Sequence, residues 1–200
     1  KLTVFTTKDG LPDNVITSIT VDSQGVLWIG TLGGGITWLK EGKILTPPMK
    51  GELGLNNVKA FHEDKNGVMW IGAVGRGLFY WQNGHMTNLN TENGLSNNNV
   101  LSIHEDSEGT IWVSTYGGGL NRWKNNKFTV FTTKEGLFND TIYQILEDGK
   151  GNLWMSCNKG IFTVSKKELN DFAEGKTNFF QYTSYDKTDG MKSSECNGGN

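Results

Sequence analysis

His62 and His104 are the first residues to consider for chemistry. Each precedes a carboxylate pair, Glu63-Asp64 and Glu105-Asp106, and a third pair, Glu147-Asp148, follows without a histidine. Imidazole beside a carboxylate suits general acid–base catalysis, and clustered His and carboxylates suit a metal. The spacing argues against both. The two histidines are 42 residues apart, and so are the successive acidic pairs. A catalytic constellation occurs once in a chain, whereas residues returning at a fixed interval serve a shared architecture. We expect His62 and His104 to be packed, hydrogen-bonded side chains at one position on two strands, with no catalytic residue and no metal. His85 falls in an Asn83-Gly84 turn on the opposite face. No His-x-x-His, nucleophile elbow or phosphate loop occurs. The glycine triplets, Gly33-Gly34-Gly35 and Gly117-Gly118-Gly119, recur and lead into strands rather than helices, so no nucleotide or other cofactor is expected.

Recognition chemistry is better sought in residues that break the repeat. Arg76 replaces the middle glycine of one triplet, Tyr116 precedes another, and Asn158 and Lys159 stand where the fourth would start. Asn97, Asn98, Asn99, Asn139 and Asp140 enrich loops that strand direction places on the same face. An aromatic plate, a fork-shaped cation and several amides suit a polyhydroxylated or acidic sugar. The candidate ligand-binding set is Arg76, Tyr116, Asn98, Asn99, Asn158 and Lys159. Each has a plainer reading. Arg76 on a glycine loop is solvated or paired with a carboxylate, Tyr116 caps a neighbouring loop, and asparagines favour turns through their own backbone bonding. Arg122, on a third strand where Trp38 and Tyr80 stand in other units, is a weaker candidate.

The positioning elements follow from four tryptophans, Trp28, Trp70, Trp112 and Trp154, spaced 42 residues apart. A period of this length with strand-like units is the mark of β-propeller blades. Each unit opens on Gly-Leu (Gly10-Leu11, Gly54-Leu55, Gly94-Leu95, Gly136-Leu137), with Gly190-Met191 beginning a fifth. A hydrophobic strand then ends in Asp22, Asp64, Asp106 or Asp148. A glycine three residues on reads as a hairpin turn, with the aspartate accepting backbone N–H bonds. The second strand carries Trp, and two residues later Gly30, Gly72, Ser114 or Ser156 stays small so that the next sheet can approach. A third strand, a polar turn such as Lys124-Asn125-Asn126-Lys127, and a fourth strand complete the unit.

The predicted fold is all-β: a propeller of four four-stranded blades of about 42 residues, with part-blades at either end. Residues 1–9 read as an outer strand, since Val4-Phe5-Thr6-Thr7 repeats as Val130-Phe131-Thr132-Thr133; blades occupy 10–53, 54–93, 94–135 and 136–189, and 190–200 starts another. The second unit loses two residues after Gly54-Leu55 while the loop through Pro47-Pro48 gains two. The fourth carries an insertion in which Ser165-Lys166-Lys167-Glu168 reads as a capping box and Gly175 as a C-cap, giving a short helix near 166–174. A chain that opens in mid-strand and stops as a fifth unit begins reads as an excised part of a larger ring, of about seven blades. Its terminal blades would expose apolar faces, to be covered by the parent's remaining blades or by dimerisation.

Bulk properties narrow the classes. Net charge is −2 and no Lys or Arg run exceeds two residues, which excludes a nucleic-acid surface. The longest uncharged stretch, from Val26 to Leu39, is rich in Gly and Thr and too short to cross a bilayer as a helix, so no membrane insertion of this segment is expected. Two cysteines, Cys157 and Cys196, are too few for a disulfide framework and leave the redox compartment open.

The unit Gly-Leu-x-x-Asn-x-Ile…Asp-x-x-Gly-x-Leu-Trp-Ile-Gly-Thr…Gly-Gly-Gly-Ile resembles the two-component regulator propeller repeat, in all four units. Residues 190–199 also look like the opening of that family's final blade. The resemblance implies a bacterial sensor: a periplasmic propeller in a membrane-anchored receptor, followed by an immunoglobulin-like domain, a membrane helix and a histidine kinase or diguanylate cyclase. Several such proteins are similar to sensors of oligosaccharides. It therefore implies a binding segment, not an enzyme. Two other readings stand beside it. Propeller lyases of the streptogramin type have similar Trp-bearing units but need a His and a Glu unique to one face, with Mg²⁺. A protein-interaction scaffold needs neither.

Overall fold

The computed structural model describes residues 2–47 and 55–197. Four separate four-stranded antiparallel sheets follow one another, each with its strands in sequential order. The first blade holds β1 (Ile16–Val21), β2 (Leu27–Thr31), β3 (Ile36–Lys40) and β4 (Lys43–Leu45). The second holds β5 (Val58–Glu63), β6 (Met69–Ala73), β7 (Gly77–Gln82) and β8 (His85–Leu89). The third holds β9 (Val100–Glu105), β10 (Ile111–Thr115), β11 (Gly119–Lys124) and β12 (Lys127–Phe131). The fourth holds β13 (Gln144–Glu147), β14 (Asn152–Cys157), β15 (Gly160–Ser165) and β16 (Tyr182–Tyr185), with helix α1 (Lys166–Ala173) inserted before β16. Among the described residues, no helix is long and apolar enough to cross a membrane.

The tryptophan and aspartate columns are one device. Each indole N–H donates to the carboxylate six residues upstream, at 2.8 Å for Trp28–Asp22, 2.9 Å for Trp70–Asp64, 3.0 Å for Trp112–Asp106 and 2.9 Å for Trp154–Asp148. The other carboxylate oxygen accepts two backbone N–H groups of the turn, as Asp106 does from Glu108 and Thr110 at 2.9 Å each. The turn role was legible in the sequence, but the indole bond was not. One side chain thus fixes both the β-turn and the tilt of the ring that the next blade meets.

The core lies between sheets. Trp28 meets Phe61 of the second blade edge-on, with ring centroids 6.0 Å apart. A Cβ on Gly30 would stand 2.8 Å from Val58 Cβ, and one on Gly72 would stand 2.5 Å from Val100 Cγ1, so these positions must stay bare for neighbouring blades to touch. Two histidines pair across blades: His62 Nε2 lies 3.5 Å from Glu105 and His104 Nε2 lies 3.2 Å from Glu147, each pair bridging adjacent blades. Ser23 does the same for the first junction, donating its N–H and hydroxyl to Glu63 at 2.6 and 2.8 Å. Within each Glu-Asp pair, the aspartate serves its own blade and the glutamate the blade before it.

The insertion ties the fourth blade to the third. Ser165 Oγ accepts the Glu168 N–H at 3.4 Å, but the expected capping box is only half formed. The Glu168 carboxylate instead accepts the Gln181 N–H at 2.9 Å, anchoring the chain as it returns to β16. Gly175, at φ 71°, ends the helix one residue past its cap. Leu169 is fully buried and Phe172 packs on Phe131 and Phe180 at 5.8 and 5.4 Å. Arg122 is consumed here: its Nε donates to Asn170 at 2.6 Å and its Nη2 to Glu174 at 3.3 Å. Lys166 reaches Glu147 at 2.6 Å and Asp106 at 3.9 Å.

The two outermost faces differ from the internal ones. Ile19 and Val21 on β1 are 64% and 62% exposed, and Leu146 on β13 is 61% exposed. Beside Leu146 and Trp154 lies an apolar hollow of about 420 Å³ that also touches Met155 and Ile161. Leu2 to Thr6, expected to be an outer strand, joins no sheet among the described residues. Pro48, Gly54 and Gly198-Gly199, to which parts of the repeat reading attach, lie outside the described residues.

Trp112, fully buried, should lose about 3–5 kcal/mol on truncation to Ala. Trp154→Ala should lose about 1–2 kcal/mol, because its outer face is already open. Asp106→Ala, which strands the buried indole N–H, should lose about 2–3 kcal/mol. Urea unfolding of the three variants tests that order. A pH dependence follows from the same site. Burial of Asp106 opposes its ionisation. The bonds from Trp112, Thr110 and Glu108 and the charge of Lys166 outweigh this and hold its carboxyl below the usual range. Asp148 is lowered too, chiefly by the Trp154 N–H. A lowered folded value means that the stabilisation is complete above the unfolded carboxylate pKa, about 4, and is lost as pH falls further. Melting temperature should hold from pH 7 to 5 and drop below about pH 4, less steeply in Asp106→Asn.

Candidate ligand-binding face

Antiparallel order puts the β2–β3, β6–β7, β10–β11 and β14–β15 loops on one edge, with the segments opening each blade. Three opening segments begin with a 3-10 turn, Thr7–Asp9, Thr91–Asn93 and Lys187–Asp189, each closed by a left-handed glycine. A side chain seven residues on clamps two of these turns, at Thr7 and Thr91, and also the ordinary turn over 133–136 that opens the fourth blade. Asn14 accepts the Thr7 N–H at 2.9 Å, Asn98 the Thr91 N–H at 3.0 Å, and Asp140 the Thr133 N–H at 2.7 Å. Asp13, Asn97 and Asn139 each accept the N–H two residues on, at 2.7, 2.9 and 2.8 Å. The asparagine-rich loops are thus built first for their own geometry.

Upon this frame the candidates fall into a connected rim. Gly77 N–H, next to Arg76, donates to the Asn98 carbonyl of the following blade at 2.8 Å, and Tyr116 N–H donates to the Asn99 carbonyl at 3.0 Å. Arg76, Asn98, Asn99 and Tyr116 therefore lie side by side across the second and third blades. Arg76 is exposed, and among the described residues no carboxylate stands within ion-pair distance of it. Tyr116 is 56% exposed. Asn98 gives its side-chain oxygen to Thr91, and its amide nitrogen makes no hydrogen bond among the described residues. The rim continues through Gly117 N–H to Thr141 Oγ1 at 3.0 Å and on to the fourth blade. There Asn158 donates to the Tyr143 hydroxyl at 3.1 Å and accepts from Asn197 at 2.9 Å. Lys159 beside it is exposed, its backbone N–H bound to Cys157 Sγ at 3.4 Å.

One supporting residue escaped the sequence reading. Asn121, fully buried on β11, accepts the Ser96 N–H at 2.9 Å and donates to Ser96 Oγ at 2.8 Å and the Val113 carbonyl at 3.3 Å. Ser96 Oγ in turn lies 3.0 Å from Thr115 Oγ1. The network holds the opening loop of the third blade against the strand that ends at Tyr116. Its signal was present: Asn121 shares a column with Thr37, Phe79 and Phe162, and an amide among such residues needs partners. Among the described residues no group of three or more His, Cys, Asp and Glu side chains is placed to hold a metal.

The repeat matches a family described as two component regulator propeller at residues 10–33, 52–75, 94–117 and 136–159. The chain belongs to the two-component regulator propeller family. Among solved structures, this propeller is similar to the extracellular domain assigned to the hybrid two component system BT3049 from B. thetaiotaomicron. Identity is 29% over 90% of this chain and 24% of that one, with a TM-score of 0.72. The extracellular domain of BT4673, from the same organism, matches at 23% identity over 88% of this chain and 25% of that one, with a TM-score of 0.68. Virginiamycin B lyase from Staphylococcus aureus shares the fold at 14% identity over 88% of this chain and 57% of that one, with a TM-score of 0.62. The propeller spans about a quarter of the length of the first two solved chains. No curated protein matches it.

Replacing Asn121 by Leu, similar in branching but unable to bond, leaves the Ser96 N–H without its acceptor. The cost should be about 1–3 kcal/mol. Hydrogen exchange should quicken at Ser96 and its neighbours while the first blade is unchanged.

Proposed function

We propose that this propeller is a sensory segment of a bacterial two-component-type receptor, placed in the periplasm, and that its loop face contacts a small polar ligand, an oligosaccharide first among the candidates. The observation that carries the reading is the rim on which Arg76 and Tyr116 flank Asn98 and Asn99, with neither side chain hydrogen-bonded or ion-paired among the described residues. A guanidinium offers paired donors to hydroxyl or carboxylate oxygens, and a tyrosine ring offers a flat apolar face with a polar end. Asn158 and Lys159 extend the same chemistry one blade further. Likeness to the extracellular domain of a hybrid two component system supports the placement. The open faces at β1 and β13 support further blades, in a ring of about seven, or a second copy as their cover.

Thermal shift and calorimetry against an oligosaccharide panel test the site. One or more members should raise the melting temperature, and Arg76→Ala and Tyr116→Ala should each weaken that ligand tenfold or more, about 1.4 kcal/mol. A ligand whose affinity survives both substitutions would place recognition elsewhere.

The lyase alternative has fold likeness in its favour and side-chain commitment against it. His62 and His104 are each held in a blade-to-blade pair with a glutamate, and His85 lies at the start of β8 on the opposite edge. We infer a binding rather than a catalytic role; turnover of a streptogramin B substrate by the purified chain would reverse that choice.

A further inference from the structure

The two cysteines lie far apart in the chain, yet meet on the loop face. Cys157 ends β14, and Cys196 lies in the segment after the turn at Gly190. The Cys196 N–H donates to the Cys157 carbonyl at 3.1 Å. The next pair along is joined as well, Asn197 Nδ2 to Asn158 Oδ1 at 2.9 Å. A backbone N–H···O bond sets two chains about 5 Å apart, near the roughly 4.4–6.8 Å between the Cα atoms that a disulfide joins. Both thiols are free, Cys157 fully buried and Cys196 half-buried. Other hydrogen bonds of this segment among the described residues are local, such as the Glu195 N–H to Ser193 Oγ at 3.1 Å and the Met191 N–H to the Asp186 carbonyl at 3.3 Å.

We propose that Cys157 and Cys196 form a disulfide that staples residues 190–197 to the end of β14. The chemistry is exchange with an external small-molecule disulfide such as oxidised glutathione. Cys196, the more accessible thiol, attacks as its thiolate, joins one glutathione sulfur and releases the other as a thiolate. Cys157 then attacks the Cys196 sulfur of that mixed disulfide and expels the second glutathione. Two protein thiols are oxidised, one glutathione disulfide is reduced to two thiols, and the protein's two protons pass to them or to solvent. The order follows from exposure. Burial raises the Cys157 pKa, with the neighbouring Cys196 adding to the effect, so Cys157 is the poorer first nucleophile. The closed loop of about 40 residues contains β15, α1 and β16. The bond would brace the backbone next to Asn158 and Lys159 and hold the opening segment of the following unit against the fourth blade.

The 200-residue chain is equilibrated with a glutathione redox buffer, unfolded in iodoacetamide, and analysed by intact mass and proteolytic mapping. The expected product carries no alkyl group and no glutathione, yields one linked peptide containing Cys157 and Cys196, and melts roughly 5–10 °C above the reduced protein. Cys196→Ser should abolish both the link and the redox-dependent shift while leaving Cys157 to be alkylated after unfolding. Two alkylated cysteines in the oxidised wild type, glutathione retained on Cys196 beside a free Cys157, or a melting shift that persists in Cys196→Ser would each overturn the proposal.

Discussion

An indole N–H held by a carboxylate six residues upstream organises this molecule. The bond costs no extra chain, because the aspartate is already there to close the hairpin between the first two strands of its blade. Once its second oxygen takes the indole, the ring loses its rotational freedom and presents a fixed apolar face to the neighbouring sheet. Everything between blades depends on that face: the bare glycines that let valines of the next blade approach, and the three clusters of buried side chains that make up the core.

Polar groups supply register along the same junctions. Apolar contact is non-directional and tolerates sliding, whereas a histidine or serine aimed at one glutamate does not. The glutamates differ in what they receive: a hydroxyl and an N–H at Glu63, an imidazole and the Lys65 N–H at Glu105, an imidazole and the Lys166 ammonium at Glu147. Variation is permitted because the acceptor geometry stays the same. At the third junction the inserted helix joins in, and Arg122 and Lys166 carry guanidinium and ammonium ion pairs that the other junctions lack among the described residues.

The loop face divides into frame and decoration. Asn14, Asn98 and Asp140 are frame, since each clamps the turn before it, and Asn98 was singled out from sequence only because its loop is crowded with asparagines. Arg76 and Tyr116 are decoration: Arg76 stands where other units have Gly34 and Gly118, Tyr116 where they have Leu32 and Val74, and among the described residues neither side chain makes a hydrogen bond or an ion pair. Asn158 is both, bonded to Tyr143 and Asn197 yet exposed at the end of the rim.

Periodicity alone was sufficient for the blades, their turns, the close-approach glycines and the shared, hydrogen-bonded position of His62 and His104, because each is a local pattern repeated in register. The helix was legible from its cap and its two apolar residues, although the reach of Glu168 to Gln181 was not. Side-chain partnerships were beyond the sequence, whether across one turn, as Trp with the Asp six residues upstream, or across long separations, as Arg122 with α1, Asn121 beneath Ser96, and Cys157 beside Cys196. A strand pattern states which way a side chain faces, but the identity of its neighbour depends on how sheets stack and where loops cross. That is settled by packing in three dimensions.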